Sequence, residues 1–286
     1  MINCIAIDMD GTLLNNKHVI SEENAAAIRE ARSKGVEIVI ATGRSNPEAD
    51  YVLDEAGLSL PKICVNGADV RHPDGSEVSS TPLGTELVQS ARNILQASDI
   101  YYEVYTNNGT YTNDRDKALS LIVDIFMSAD PEHDYQEVVR GARRRLEEGR
   151  IQVIDDYDSV LGRSDIKVFK LLAFSLDQAK TTKAQEQINR LTSIAVSSSG
   201  YDNLEITAKQ AQKGVALQTF AEARQIPLEQ VAAIGDNYND ISMFQTAGTA
   251  VAMGNANDDI RNEADWVTAT NDNNGVAQAI LRLMNP

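Results

Sequence analysis

Ile5-Ala6-Ile7-Asp8-Met9-Asp10-Gly11-Thr12 is an apolar run that stops abruptly at two carboxylates, a glycine and a hydroxyl. Unbroken apolar residues mark a strand covered on both faces, the condition met in parallel sheets flanked by helices. Two other stretches end in the same way: Ile38-Val39-Ile40-Ala41-Thr42-Gly43-Arg44 and Val231-Ala232-Ala233-Ile234-Gly235-Asp236-Asn237-Tyr238-Asn239-Asp240. In open α/β sheets ligands bind outside the carboxyl ends of the strands, so these stretches are expected to bring their polar groups to one crevice. Singly, each cluster reads as a turn, because Asp and Gly are common turn residues. Together, crowded carboxylates repel one another unless a cation or a proton offsets their charge.

Working outward, Ser21 stands where it can cap a helix running to residue 33, Gly35 closes that helix, and residues 36–41 form the next strand. Runs at 63–65, 231–234 and 250–253 have the same strand character. Between about residues 82 and 200 the pattern changes. A helix near 86–96 is followed by a hairpin, 101–106 and 110–112 around Asn108-Gly109. Helices near 117–127 and 136–148, a strand at 168–174, a helix at 178–191 and a strand near 194–197 follow. The spacing predicts a doubly wound, Rossmann-like α/β core, residues 1–82 and 201–286, interrupted by a smaller α+β cap at 83–200.

Length agrees with two units, since 286 residues exceed one ordinary core. A net charge of -16 argues against a nucleic-acid partner, which needs a basic stripe to neutralise phosphates. The densest basic run, 140–150, is interleaved with Glu147 and Glu148 at helical spacing and reads as a solvated helix face. No apolar stretch reaches the length of a membrane span, and Asp8 and Asp10 interrupt the N-terminus before a signal-peptide core could form, so a cytoplasmic protein is expected. Cys4 and Cys64 each sit inside a short β-type run and read as free buried thiols.

The chemistry follows from the donor types. Oxygen ligands with no His or Cys beside them favour magnesium over zinc or copper. An EF-hand is excluded because Leu13 stands where that loop needs glycine. A phosphate monoester suits such a site: its dianion needs positive charge, and backbone N–H groups following Asp8 could cradle its oxygens. Lys213, before a helix reaching Arg224, is the best lysine candidate, although its position alone makes it a solvated first-turn residue. There is no G-x-x-x-x-G-K-[ST], so no nucleotide-binding P-loop is expected.

These residues resemble the four motifs of the haloacid dehalogenase superfamily, in family order. Asp8-Met9-Asp10-Gly11-Thr12-Leu13-Leu14 is similar to the first, Thr42-Gly43-Arg44 to the second, Lys213-Gly214 to the third, and Gly235-Asp236-Asn237-Tyr238-Asn239-Asp240 with Met243 to the fourth. Ala252-Met253-Gly254-Asn255-Ala256 and Asn274-Gly275-Val276-Ala277 narrow the resemblance to the Cof-type, sugar-phosphatase-like branch. The resemblance implies a magnesium-dependent phosphatase in which Asp8 is the nucleophile and Asp10 the acid and base. It implies a metal held by Asp8, the Asp10 carbonyl and Asp236, with Asp240 orienting Lys213 and waters. Met9, Thr42, Gly43, Lys213 and Asn239 are implied around the phosphate, with Arg44 and Asn66 as further candidates.

An insertion lying between Thr42 and Lys213 resembles the C2 cap class, and its helix-strand-strand order the B subtype. The cap is then the substrate-specificity domain, and the partner a small phosphorylated metabolite, with no nucleic acid or membrane and a monomer or weak homodimer in solution. Relatives of this kind span sugar phosphates, a ribitylamino-uracil phosphate and cofactor pyrophosphates. A phosphomutase or phosphotransferase would differ by transferring to a second hydroxyl rather than to water. An inactive ligand-binding regulator would release no phosphate at all.

Overall fold

A computed structural model of the chain describes residues 2–120, 123, 135–197 and 203–285. Two compact units result, Met1–Ser80 with Gln210–Pro286, and Thr81–Lys209. The first begins with β1 (Cys4–Ile7), α1 (Glu22–Ser33), β2 (Glu37–Ala41), α2 (Asn46–Glu55), β3 (Lys62–Cys64), β4 (Asp69–Arg71) and β5 (Glu77–Ser80). Ser21 caps α1, its side chain accepting from Asn24 N at 3.2 Å, and Gly35 leaves the helix at φ +84°.

The second unit carries α3 (Thr85–Ala97), β6 (Tyr101–Thr106), β7 (Gly109–Thr112), α4 (Tyr135–Glu147), β8 (Ile151–Val153), α5 (Asp158–Leu161), β9 (Val168–Phe174), α6 (Gln178–Ile188), β10 (Ile194–Ser197) and β11 (Asn203–Ala208). Its strands form a sheet in the order β10-β11-β9-β6-β7-β8. The hairpin turn lies one residue earlier than expected. Thr106 pairs with Gly109, so Asn107 and Asn108 make the turn, and the Thr106 hydroxyl accepts from Asn108 N at 3.0 Å. The helix expected at 117–127 lies partly outside the described residues, which are helical over 115–120. Arg140, Arg143 and Arg144 on α4 are exposed.

The chain then returns to the first unit with α7 (Lys213–Ala223), β12 (Val231–Gly235), α8 (Ile241–Thr246), β13 (Thr249–Ala252), α9 (Asp258–Asn262), β14 (Trp266–Val267) and α10 (Gly275–Met284). Its sheet has the order β14-β13-β12-β1-β2-β3-β4-β5, parallel from β14 to β3 with β4 and β5 added antiparallel. Alternation along β1 and β2 sends Cys4, Ala6, Val39 and Ala41 into a cluster with Leu217 and Phe220 of α7 and Met243 and Phe244 of α8. Ile5, Ile7, Ile38 and Ile40 leave by the other face, and α1 and α10 pack together there against β2 and β12. Both faces are covered, which is why these strands read as continuous apolar runs.

The unit boundaries differ from 82 and 201. The second falls at Lys209/Gln210 because β11, a strand absent from the sequence reading, pairs antiparallel with both β9 and β10. Cys4 and Cys64 are free and buried. Among the described residues no helix is long and apolar enough to cross a membrane.

Candidate active site

Register fixes where the polar clusters go. Ile7 pairs with Ile234 on one side and Ile40 on the other, so Asp8, Asp236 and Thr42 leave adjacent strands at one edge. After Asp8 the chain makes a tight turn over Met9–Leu13, closed by Leu13 N to Asp8 O at 3.2 Å and Leu14 N to Met9 O at 2.9 Å. Glycine is required within it. Gly11 has φ +80°, and a Cβ there would stand 2.3 Å from Asp236 Oδ2. Thr12, fully buried, donates its hydroxyl to Asp236 Oδ1 at 2.6 Å.

Lys213 opens α7, yet it is buried rather than solvated. Its Nζ donates to Asp8 Oδ1 and to Asp240 Oδ1, each at 2.6 Å. What corrects the positional expectation is close packing at the helix start, where a Cβ on Gly214 would lie 2.0 Å from the Ser242 carbonyl. With no side chain at that point, α7 and α8 approach closely and the first turn is carried inside. Asp240 is engaged on both oxygens: Oδ1 takes Lys213, and Oδ2 accepts from Asp236 N at 2.9 Å and Asn237 N at 3.0 Å. It holds the loop that carries Asp236.

Charge in this cluster is unbalanced. Oxygens of Asp8, Asp236 and Asp240 lie within 4.8 Å of one another, and the buried Lys213 ammonium pairs with two of them, Asp8 and Asp240. Burial, then the Asp240 carboxylate, raises Asp8 well above the usual carboxylate range despite Lys213. Burial also pushes Asp236 up to about 6, against the hydrogen bond from Thr12. For Lys213 burial works against the charge, but Asp240 and Asp8 outweigh it and hold the ammonium above its ordinary value. A second cation would relieve the excess negative charge, and the all-oxygen donors fit magnesium. Asp240 is occupied by its hydrogen bonds, so Asp8 and Asp236 are the side chains suited to hold the ion.

A second group stands beside the first. The Arg44 guanidinium donates from Nε to Asp10 Oδ2 at 2.8 Å and from Nη2 to Asp10 Oδ1 at 2.6 Å. Burial would raise the Asp10 carboxyl, but the Arg44 hydrogen bonds and charge hold it below its ordinary value. Thr42, fully buried, accepts at Oγ1 from Arg44 N at 3.1 Å, which leaves its hydroxyl proton for another acceptor. Asn66 follows β3 in the left-handed region at φ +55°, after Val65 at +49°, an unusual conformation for a β-branched residue. This turn brings Asn66 Oδ1 to Asn239 Nδ2 at 3.1 Å, and Gly43 makes room, since a Cβ there would be 3.2 Å from the same oxygen. Met9 buries its side chain completely, so only its backbone could serve a ligand.

Thr12 is the residue that sequence reasoning passed over: within a turn its hydroxyl reads as a turn former, and nothing local shows that Asp236, 224 residues away, lies within reach.

An open parallel sheet with carboxylates and a buried lysine at its carboxyl edge, interrupted by a second unit, defines a hydrolase class that sequence comparison identifies. The chain belongs to the haloacid dehalogenase-like hydrolase family, whose family model matches residues 5–280. It is 34% identical over 282 residues to phosphatase YwpJ of Bacillus subtilis, spanning 98% of this chain and 99% of that one. To 5-amino-6-(5-phospho-D-ribitylamino)uracil phosphatase YwtE of the same organism it is 35% identical over 285 residues, 99% of each. A solved haloacid dehalogenase-like hydrolase from B. subtilis superposes with a TM-score of 0.87 at 34% identity, covering 99% of this chain and all of that one.

Proposed function

We propose that the protein is a magnesium-dependent phosphatase that hydrolyses a small phosphorylated metabolite, a sugar phosphate or related compound, through a phospho-aspartate on Asp8. The observation that carries this reading is the Lys213 ammonium shared between Asp8 and Asp240. It lets a buried carboxylate face a phosphate dianion without uncompensated repulsion. Bound magnesium, on Asp8, Asp236 and the Asp10 carbonyl, would supply further positive charge for the phosphoryl oxygens.

This chain's own groups account for the remaining steps. A carboxylate oxygen of Asp8 forms a bond to phosphorus as the ester P–O bond breaks, and protonated Asp10 gives its proton to the leaving oxygen. Asp10 then takes a proton from water, whose oxygen attacks phosphorus, releasing phosphate and restoring Asp8. Arg44 holds Asp10 charged, the state a base needs, so Asp10 must part from the guanidinium to act as the acid. Thr42 donates its free proton to a phosphoryl oxygen, while Gly43, the Met9 backbone, Asn239 and Asn66 shape the cradle. The inserted unit supplies substrate specificity.

The names of the relatives support the reaction class, since both YwpJ and YwtE are phosphatases, and that of YwtE carries a small phosphorylated metabolite. A phosphate-release screen with purified protein and magnesium, spanning sugar phosphates and ribitylamino-uracil phosphate, tests the reading. Release from at least one metabolite, abolished by chelator, is expected. Full activity in chelator would refute the metal, and no release from any compound would refute the hydrolase.

A further inference from the structure

The turn after Asp8 leaves helical geometry at Asp10 and at Gly11; its own N–H groups serve the Asp8 and Met9 carbonyls, while those of Gly11, Leu13 and Leu14 take donors from elsewhere. Three asparagines supply them. Asn255 Nδ2 donates to the Gly11 carbonyl at 2.8 Å, Asn24 Nδ2 to Leu13 at 3.3 Å and Asn271 Nδ2 to Leu14 at 2.9 Å. Each asparagine is tied back in turn. Asn255 Oδ1 accepts from Asn271 N at 3.0 Å, and Asn24 Oδ1 accepts from Ala277 N, in the first turn of α10, also at 3.0 Å. Asn24 and Asn271 are buried, where a half-satisfied amide would be destabilising, so their orientations are fixed by these bonds.

Peptide planarity turns these grips into aim. Among the described residues no peptide bond is cis, and across a planar trans peptide the carbonyl and the following N–H point in opposite directions. Holding Gly11 O therefore fixes the direction of Thr12 N–H. The Leu13–Leu14 peptide is held from both sides, by Asn24 on its oxygen and by Leu14 N donating to Met9 O at 2.9 Å.

We propose that Asn255 and Asn271, with Asn24, are positioning residues that clamp the turn after Asp8 to the segment between β13 and α10 and to the first turn of α10, fixing the Gly11–Thr12 and Leu13–Leu14 peptide planes of the turn that carries Asp8 and Asp10. This rests on the phosphatase reading for its catalytic consequence, but not for the clamp itself. It gives a physical task to Gly254-Asn255-Ala256 and to residues 271–277, which touch none of the reacting groups. General stiffening of the fold would be a different role, and it would not show up in the turn alone.

Asn255 is exposed, so its substitution spares the core. Asn255→Asp keeps Oδ1 for Asn271 N but sets an acceptor against the Gly11 carbonyl; Asn255→Ala removes the donor without repulsion. Amide exchange over residues 9–14, followed by mass spectrometry, should quicken in both variants and more in Asn255→Asp, with β12 unchanged. With p-nitrophenyl phosphate, kcat should fall about tenfold in Asn255→Asp, roughly the factor one lost and one repelled hydrogen bond supplies, while KM moves less than about threefold. Unchanged exchange over 9–14 in the variants, or quickened exchange with wild-type kcat, overturns the proposal. Should neither variant fold, fast exchange of Thr12 to Leu14 in the wild-type protein overturns it and slow exchange supports it. Wild-type protein that releases no phosphate indicts the phosphatase reading instead, and the exchange data still decide the clamp.

Discussion

Arg44 grips both oxygens of the Asp10 carboxylate with two nitrogens of its guanidinium. Because Asp10 is held below its ordinary value, the pair contributes stability above the unfolded carboxyl's pKa and loses it as pH falls through the depressed one. Half of the Asp10 side chain is exposed, so solvent screens the effect and it should be modest. Arg44→Ala is expected to melt below the wild type at neutral pH, with the gap closing as pH falls below about 4, through the ordinary carboxyl value and then the depressed one. Thermal melts across that range check it; a constant gap would show that Arg44 acts through packing instead.

The two aspartates of the first turn should separate in kinetics. Asp8→Asn is expected to abolish turnover of every substrate, because an amide cannot form the acyl phosphate. Asp10→Ala should still release p-nitrophenolate, which leaves without a proton, and then stall for want of a base. A burst with one phosphoryl group on the protein, seen by acid-quenched mass spectrometry and mapped to Asp8, is the expected result. A phosphoryl group on another residue would overturn the mechanism.

Removing Lys213 should cost stability as well as activity. Lys213→Met leaves Asp8 and Asp240 buried without their ammonium, a loss of about 3–5 kcal/mol for a broken buried pair. Urea denaturation measures it, and millimolar magnesium should recover part of the loss by binding the same carboxylates. A variant as stable as wild type would mean that the two carboxylates are protonated rather than paired.

Calcium should inhibit where magnesium activates. Its larger, looser shell accepts a bidentate carboxylate, which would hold Asp8 out of line for attack. Equal rates of phosphate release with the two ions would count against Asp8 as a ligand.

Both thiols should be inert in the folded protein. Burial, with the Glu37 charge, pushes Cys4 up to about 12, and burial with Asp69 raises Cys64 as well, so neither forms thiolate at pH 8. A disulfide exchange reagent should label both only after denaturant is added. Rapid labelling of either in native protein would contradict its burial.

Apolar runs and their abrupt ends made the core strands β1, β2, β12 and β13 legible in the sequence, and Ser21 and Gly35 marked the limits of α1, because covered strands and capped helices carry local signals. The members of the site were legible for the same reason, since Asp8, Thr42 and Asp236 each follow such a run. Short strands were not: β11, with Glu205 buried in its middle, has no clean pattern, and only its pairing with β9 and β10 assigns it to the inserted unit. What tertiary structure alone decided is who touches whom. Lys213 occupies an ordinary first-turn position and is buried between two carboxylates because Gly214 lets α7 close on α8. Arg44 chooses Asp10, Thr12 chooses Asp236, and Asn255 reaches back to Gly11 across 244 residues. Hydrogen bonds and ion pairs act over a few ångströms, and sequence carries residue types and local periods but not those distances.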